Sequence, residues 1–382
     1  LTETIALADP VQLNKFPTNE ACRELIKIFN SSSDPELLAQ STLCIVNILD
    51  NISNSYKNIM NANYIQIIKD KLQYKHALFS NFAVAENIIH SISTLSKYRA
   101  KEISQNLGIK FIIDNFHLLT PVEKLSASST LCKLTSYTIF TKFAKSLPLI
   151  ASFFSSDDEI AMNMIETFVN IFNSVNLSDI PVDTVKAISD VSPEVENPEI
   201  LIKILELIQR ILFSQTLSEA FIDSSFNYEK LLFENDYFAF NPRIQRLILT
   251  IIKTLLPVPD FPDGFWDNSR SIPSNSSKFA EQILPILIDL ADTRSGDYDL
   301  IFASIAMSLK LYEMDVPDFL ITEMIAASQD PDIAPFALLL ALTISNKKQL
   351  SQSGIVSHLS LIEVDPLVDH WYKQNLSILK SF

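Results

Sequence analysis

The stretch Leu107-Gly108-Ile109-Lys110-Phe111-Ile112-Ile113 begins an apolar helical segment. A similar motif, with the same Gly-Ile pair, occurs far along the chain as Ser353-Gly354-Ile355-Val356-Ser357-His358-Leu359. The two glycines are 246 residues apart, which is six intervals of 41. A recurrence near 40 residues with helical periodicity is typical of armadillo and HEAT repeats, whose units bury their apolar faces against their neighbours. The spacing predicts an all-α fold, an armadillo/HEAT-like right-handed α-solenoid of roughly nine repeats.

Within each predicted repeat a shorter apolar helix precedes a longer one. The first pair covers Cys22 to Phe29 and Glu36 to Asn51, joined by a helix-starting Asp34-Pro35. No segment shows sustained alternation of period two, so we expect no strands. Four prolines and a Ser/Asn cluster between positions 257 and 278 predict an insertion. The expected organisation is therefore a repeat block over 1–256, an insertion over 257–278 and a continuing repeat block over 279–382.

Composition limits the possible functions. Only four glycines occur among 382 residues, which argues against glycine-rich phosphate loops and nucleotide-binding folds. The net charge of −15 opposes binding to nucleic acid or to an anionic membrane and favours a basic or neutral protein partner. The longest apolar run, Ala334 to Ile344, is about half of the roughly 20 residues that span a bilayer. We expect a cytoplasmic or nuclear protein and, because it begins with Leu1, a piece of a longer one.

One acidic stretch stands out. Between Asp157 and Glu199 there are ten carboxylates and a single cation, Lys186. Two interpretations stay open: a solvated face with a loop, or a landing site for a basic protein segment, centred on the acidic patch Asp157, Asp158 and Glu159.

Alignment of the long helices brings two columns of residues to equivalent positions. In an armadillo stack the long helices line the concave groove, so these columns would form adjacent rows that hold an extended peptide. Ordinary solvent-facing residues are the equally open alternative. The predicted groove residues are Leu43, Asn47, His90, Thr94, Ser129, Lys133, Glu166, Asn170, Glu206 and Arg210.

Catalytic and metal chemistry has no support in the sequence. Cys22, Cys44 and Cys132 lie in amphipathic helical patterns without pairing or ligand spacing and are expected to be reduced core residues. The five histidines fall in different repeats, with no two at metal-ligand spacing. We predict no catalytic residue, no metal site and no cofactor. The row that would carry recognition tryptophans in importin-type armadillo proteins lacks them, and Trp266 is expected to pack the insertion onto the helices.

The order of segments resembles the N-terminal armadillo region of UFD-type HECT ubiquitin ligases, the family of the ubiquitin-fusion-degradation and thyroid-receptor-interacting ligases. The resemblance covers most of the chain. The matching stretches are Thr18 to Leu72, Ser93-Thr94-Leu95-Ser96, Lys101-Glu102-Ile103, Leu107-Gly108-Ile109, Ala144 to Leu149, Leu255-Leu256-Pro257 and Pro262-Asp263-Gly264-Phe265.

This resemblance implies a substrate-recruiting scaffold of the ubiquitin–proteasome pathway, whose catalytic HECT lobe lies downstream. It implies protein substrates or degron peptides as partners, basic or ubiquitin-fused, held near the transfer site to raise their effective concentration. A free-standing armadillo adaptor for transport or the cytoskeleton is the alternative. An enzyme with an unrecognised site in this chain would need a deep pocket with clustered carboxylates.

Overall fold

The fold is taken from a computed structural model that describes residues 16–73, 81–105, 108–137, 141–224, 226–234, 241–263, 265–266, 272–293 and 297–381. Leu107, His76 and Gly264, which the sequence arguments used, lie outside these ranges. Every regular element in the described ranges is helical, as the periodicity predicts. No helix there is both long enough and apolar enough to cross a bilayer. The chain divides into two compact units, Leu1–Pro181 and Val182–Phe382, so the insertion lies inside the second unit.

In the first unit, four longer helices pack side by side. Helix α2 packs against α5, α5 against α7, and α7 against α9, which forms the long-helix row. Helices α1, α4 and α6 form a second row behind it, while α8 packs against α9. The helices are α1 (Thr18–Ser31), α2 (Pro35–Asn51), α3 (Ser55–Asn61), α4 (Tyr64–Gln73), α5 (Phe82–Gln105), α6 (Gly108–Asn115), α7 (Pro121–Thr135), α8 (Leu147–Ala151) and α9 (Asp158–Phe172).

The second unit repeats this two-row packing. Helices α11, α13, α15, α17 and α20 contact one another in that order and form its long-helix row. Helices α10, α12, α14, α16 and α19 form the other row, in which α14 is as long as α2. The helices are α10 (Val182–Val191), α11 (Pro198–Ile211), α12 (Gln215–Ile222), α13 (Pro242–Leu255), α14 (Ser276–Asp292), α15 (Tyr298–Leu311), α16 (Asp318–Ala327), α17 (Ala334–Thr343), α18 (Lys347–Ser353), α19 (Ile355–Leu359) and α20 (Pro366–Lys380).

A capping residue followed by proline begins many of the long-row helices. Before α2, Oδ1 of Asp34 accepts a hydrogen bond from the Glu36 amide at 2.8 Å, and Pro35 occupies the first helical position, where its missing N–H costs nothing. Asn197-Pro198, Asn241-Pro242 and Asp365-Pro366 start α11, α13 and α20 in the same way. These local signals explain why the starts of the long helices could be predicted to within one or two residues.

The apolar face of α5 is buried: Ile88, Ile92 and Leu95 have no exposed surface. The helices predicted over Cys22 to Phe29 and Glu36 to Asn51 are confirmed as α1 and α2, with shifts of at most four residues at their ends. Helices α3 and α10 are among those that were not predicted. Helix α3 is only 7 residues long, and α10 lies in the acidic stretch that one interpretation took as a loop. Gly354 has φ +79°, which lets the chain turn sharply between α18 and α19, whereas Gly108 of the first motif begins α6.

Candidate protein-binding surface

Eight of the ten predicted groove residues lie on the long-helix row of the first unit, two on each helix. His90, Ser129 and Glu166 are exposed, and Leu43, Asn47, Lys133 and Asn170 are half-buried. Thr94 is only 8% exposed. Three of the eight are therefore exposed on the long-helix row and four are half-buried, whereas the side chain of Thr94 is buried between α2 and α5.

Across that seam, Asp50 joins α2 to α5. Its Oδ2 lies 2.9 Å from Nε2 of His90, and Oγ1 of Thr94 donates to its Oδ1 at 3.4 Å. The hydrogen bond and charge of Asp50 raise the pKa of His90 above its usual value. Partial burial opposes ionisation of Asp50, but His90 and Thr94 outweigh it and lower the pKa of Asp50. This exposed ion pair therefore holds His90 at a fixed place on the long-helix face.

The seam between α5 and α7 carries a pair of carboxyl groups. A hydrogen bond to Glu123, together with partial burial, raises the pKa of Glu86 to about 7. Glu123 also accepts hydrogen bonds from the amide and hydroxyl of Thr120, at 2.9 and 2.7 Å, as the N-terminal cap of α7. A carboxyl that is hydrogen-bonded to a second carboxyl resists ionisation, which is why the pKa of Glu86 is raised while that of Glu123 is lowered. The sequence alignment missed Glu86, which stands one turn before His90.

Between α7 and α9, the thiol of Cys132 donates to Oε2 of Glu166 at 3.0 Å. Burial, then the hydrogen bond to Glu166 and its charge, raise the pKa of Cys132 to about 12. Cys22 and Cys44 are buried core residues, as predicted, but Cys132 is only half-buried and lies on the long-helix row. The prediction of a core cysteine was therefore wrong for Cys132, because its position in α7 points along the seam rather than into the core.

Asparagine side chains join neighbouring helices along the same row. Nδ2 of Asn87 donates to the Ala39 carbonyl oxygen at 3.2 Å, linking α5 to α2. Seven residues apart on α9, Asn163 and Asn170 donate to hydroxyls of α7, at 3.1 Å to Ser128 and 3.2 Å to Thr135. Asn170, a predicted peptide-holding residue, therefore makes an interhelical bond. The sequence analysis did not single out Asn87 or Asn163. The spacing of seven residues between Asn163 and Asn170 is a signal that could have placed both on the same side of α9.

The remaining two predicted residues, Glu206 and Arg210, are exposed on α11 in the second unit. Glu206 is not an open carboxylate: its Oε1 accepts a hydrogen bond from Nη2 of Arg243 on α13 at 2.8 Å. A second ion pair, 2.6 Å between Nη1 of Arg246 and Oδ1 of Asp297, joins α13 to the start of α15. Charged side chains thus tie the long-row helices of this unit together, as amides do in the first.

The insertion packs on the long-helix row of the second unit. The ring of Phe261 lies 5.2 Å from that of Phe336 on α17 and 4.7 Å from that of Trp371 on α20. Trp266 lies 5.3 Å from Phe336, and Nζ of Lys253 on α13 sits 3.9 Å above its indole ring. Trp266 therefore packs the insertion onto the helices, as predicted. Aromatic anchors hold this irregular segment across three helices of the row.

The acidic patch Asp157, Asp158 and Glu159 lies at the start of α9, and all three residues are exposed. Asp157 caps the helix by accepting a hydrogen bond from the Glu159 amide at 3.1 Å. Negative charge in a first helical turn is favourable by itself, so this patch has a structural role whether or not a partner binds it. Within the described ranges no three His, Cys, Asp or Glu side chains cluster closely enough to hold a metal ion.

These observations define the described part of the chain as an all-helical protein with two-row packing in each unit and a polar face on the long helices. No protein-family model matches the sequence, and no curated protein matches it. A crystal structure of an engineered protein from the Northeast Structural Genomics Consortium is 15% identical, covers 99% of this chain and 93% of its own, and has a TM-score of 0.46. A second engineered protein is 14% identical, covers 61% of this chain and 95% of its own, and has a TM-score of 0.38. Both TM-scores are below 0.5, so neither engineered protein indicates a function for this chain.

Proposed function

We propose that this chain is a protein-binding helical-repeat scaffold whose long-helix face holds a segment of a partner protein. The observation that carries the proposal is the polar face of the first unit, where His90, Ser129 and Glu166 stand exposed on three adjacent helices. The seams beneath them are fixed by hydrogen bonds, which preorganise the face. In the second unit, an irregular segment of the chain itself already packs on the long helices through aromatic side chains.

We propose more specifically that the fold is an armadillo/HEAT-like right-handed α-solenoid of about nine repeats. Its support is the pairing of one helix from each row: α1 with α2, for example, and α14 with α15. Pairs of this kind occur about every 40 residues in the described ranges, close to the 41 residues obtained when the 246 residues between Gly108 and Gly354 are divided into six intervals.

We also propose a specific role for the scaffold. The chain would be the substrate-recruiting arm of a HECT-type ubiquitin ligase that acts in the cytoplasm or nucleus. It rests on the resemblance of the segments to UFD-type ligases. The chain's part would be to bind protein substrates or degron segments and keep them close to a catalytic lobe elsewhere in the protein, which raises the transfer rate through effective concentration. Its own residues would supply binding and no covalent step.

The ligase proposal is tested with the natural full-length product of the gene, purified and incubated with ubiquitin, an activating enzyme and a conjugating enzyme. A HECT-type ligase forms a ubiquitin thioester that thiol reductants remove. We expect such an adduct on the natural product. A product that forms no reducible adduct with any conjugating enzyme of the source cell would contradict the ligase proposal and leave the adaptor alternative.

A further inference from the structure

A basic pocket opens in the first unit where α5 bends. Arg99 has φ −137° and ψ 39°, which breaks the helical geometry inside α5. The pocket at this bend has a volume of about 470 Å³, enough for two or three side chains of a bound segment. It is lined by Lys97, Tyr98, Arg99, Lys101, Lys133 and Tyr137, together with Glu102.

The charge of the pocket is opposite to that of the chain. Four cationic side chains line it, and the single carboxylate, Glu102, lies 3.8 Å from Arg99. Lys97 lies near enough to Asp50 for its charge to help lower the pKa of that carboxyl, whereas the ion pairs found among the described residues include neither Lys101 nor Lys133. Opposite charges on the remote surface of a chain with net charge −15 matter little here, because physiological salt screens charges beyond about 8 Å. A ligand in contact with the pocket therefore meets a positive field.

Two tyrosines give the pocket an aromatic wall. Tyr98 is 57% exposed and Tyr137 is 51% exposed, which is unusual for such large rings. Tyr98 is stacked on Tyr56 of α3 with the ring centroids 4.2 Å apart and the planes 4° from parallel. The stack fixes Tyr98 before any partner arrives. Tyrosine and arginine are enriched among the side chains that contribute most to binding energy at protein interfaces.

We propose that this pocket binds a short acidic segment of a partner protein, with carboxylates placed beside Lys97, Lys101 and Lys133 and an apolar or aromatic side chain on Tyr98 and Tyr137. The inference rests on the proposed protein-binding function and gives the partner a chemistry. Lys133 belongs to the predicted groove, so the pocket continues the long-helix face. The bound segment is acidic at this point, in contrast to the basic partner that net charge alone favours.

A long polyanion fits the same face poorly. A nucleic-acid strand that extended from the pocket along the long-helix row would meet the carboxylates of Asp50, which contacts Thr94 of α5, and Glu166, which contacts Cys132 of α7. Like charges facing each other at contact distance cost binding energy. A segment of a few acidic residues avoids them, whereas a nucleic acid does not, which favours a protein ligand over a nucleic acid.

The test uses the full 382-residue chain and two fluorescein-labelled pentapeptides, one with four glutamates around a central phenylalanine and one with four lysines around it. Binding is followed by fluorescence anisotropy at 150 mM salt. The pocket variant combines Lys101→Glu with Lys133→Glu. The control combines Lys27→Glu with Lys186→Glu, which makes the same change in net charge at two exposed lysines outside the pocket. Circular dichroism verifies that both variants keep their helix content.

We expect the glutamate peptide to bind the natural chain at least tenfold more tightly than the lysine peptide. The pocket variant should lose that affinity at least tenfold and gain affinity for the lysine peptide, while the control changes it less than threefold. Equal losses in the two variants, preference for the lysine peptide or tighter binding of a single-stranded oligonucleotide would each overturn the inference. These outcomes are independent of the ligase test, because that assay detects a ubiquitin thioester on the full-length protein.

Discussion

The thiol of Cys132 donates a hydrogen bond to the carboxylate of Glu166 at 3.0 Å, which ties α7 to α9 at the surface of the long-helix face. Cys132 is half-buried, and its carboxylate neighbour disfavours formation of the thiolate. Only the thiolate is nucleophilic, and at neutral pH a thiol whose pKa is about 12 is almost entirely protonated.

We therefore predict slow alkylation of Cys132 by iodoacetamide in the natural chain and a several-fold faster reaction in Glu166→Gln, which removes the negative charge beside the sulfur. Site-resolved mass spectrometry of the labelled cysteine gives the rate. Glu159→Gln is the matched control, an exposed glutamate of the same helix. A Glu166→Gln rate equal to that of the control would contradict the role assigned to the hydrogen bond.

The raised pKa of Glu86, which is hydrogen-bonded to Glu123, predicts that the free energy of unfolding falls as the pH rises. Glu86 has a folded-state pKa of about 7 and an unfolded value near 4.5. Between these values the folded chain binds more protons than the unfolded chain, so the free energy of unfolding decreases from about pH 5 to pH 7. His90, whose pKa Asp50 raises, adds loss of the same sign as it deprotonates at higher pH.

Urea unfolding of the first unit between pH 5 and pH 8 measures this slope. We expect Glu86→Gln to flatten it, since glutamine neither binds nor releases the proton. Glu20→Gln, at an exposed glutamate of α1, should leave the slope unchanged. A Glu86→Gln profile that parallels the natural one would show that the carboxyl pair does not bind the extra proton.

Substitution of Leu95 tests whether this residue lies in the apolar core between the two rows of helices. Its side chain has no exposed surface, and Leu95→Ala leaves a cavity that should cost about 2–5 kcal/mol of unfolding free energy. Leu37→Ala, at a leucine that is 52% exposed on α2, should cost about 0.5 kcal/mol or less. Urea titration followed by circular dichroism measures both. Equal effects would contradict the placement of Leu95 in the core.

Phe336 tests the docking of the insertion. Its ring contacts those of Phe261, Phe265 and Trp266, and the residue is 6% exposed. Phe336→Ala should free the segment over 257–266, so limited proteolysis should cut there at least fivefold faster. The matched control is Phe213→Ala, at a phenylalanine that is 59% exposed at the end of α11. Equal cleavage rates in the two variants would mean that aromatic contacts with Phe336 do not hold the insertion.

Local signals explain what could be predicted from the sequence. Asp34-Pro35 and Asn241-Pro242 carry a cap and a proline, so the starts of α2 and α13 follow from local chemistry. Helix α3 has neither signal and is only two turns long, so it was missed. Likewise, alignment of repeats could show that Thr94 and His90 share a helix face, but not how far the neighbouring helix covers each of them.

Contacts across a seam depend on the lateral offset between helices, which no repeat spacing encodes. The sequence aligned Glu166 with Ser129, whereas the fold places its carboxylate against Cys132. The basic pocket was missed for a related reason. Lys97 and Lys101 are ordinary helix-surface lysines in sequence, and only the bend at Arg99 and the approach of α7 bring them together with Lys133.

The central claim, that the long-helix face binds protein, is tested most directly by site-specific photo-crosslinking in the source cells. A photoreactive phenylalanine analogue replaces Ser129, which is exposed on α7, or Glu24, which is exposed on α1 in the other row. The account predicts discrete crosslinked species of higher mass from position 129 and none of them from position 24. The same species from both positions, or none from position 129, would contradict it.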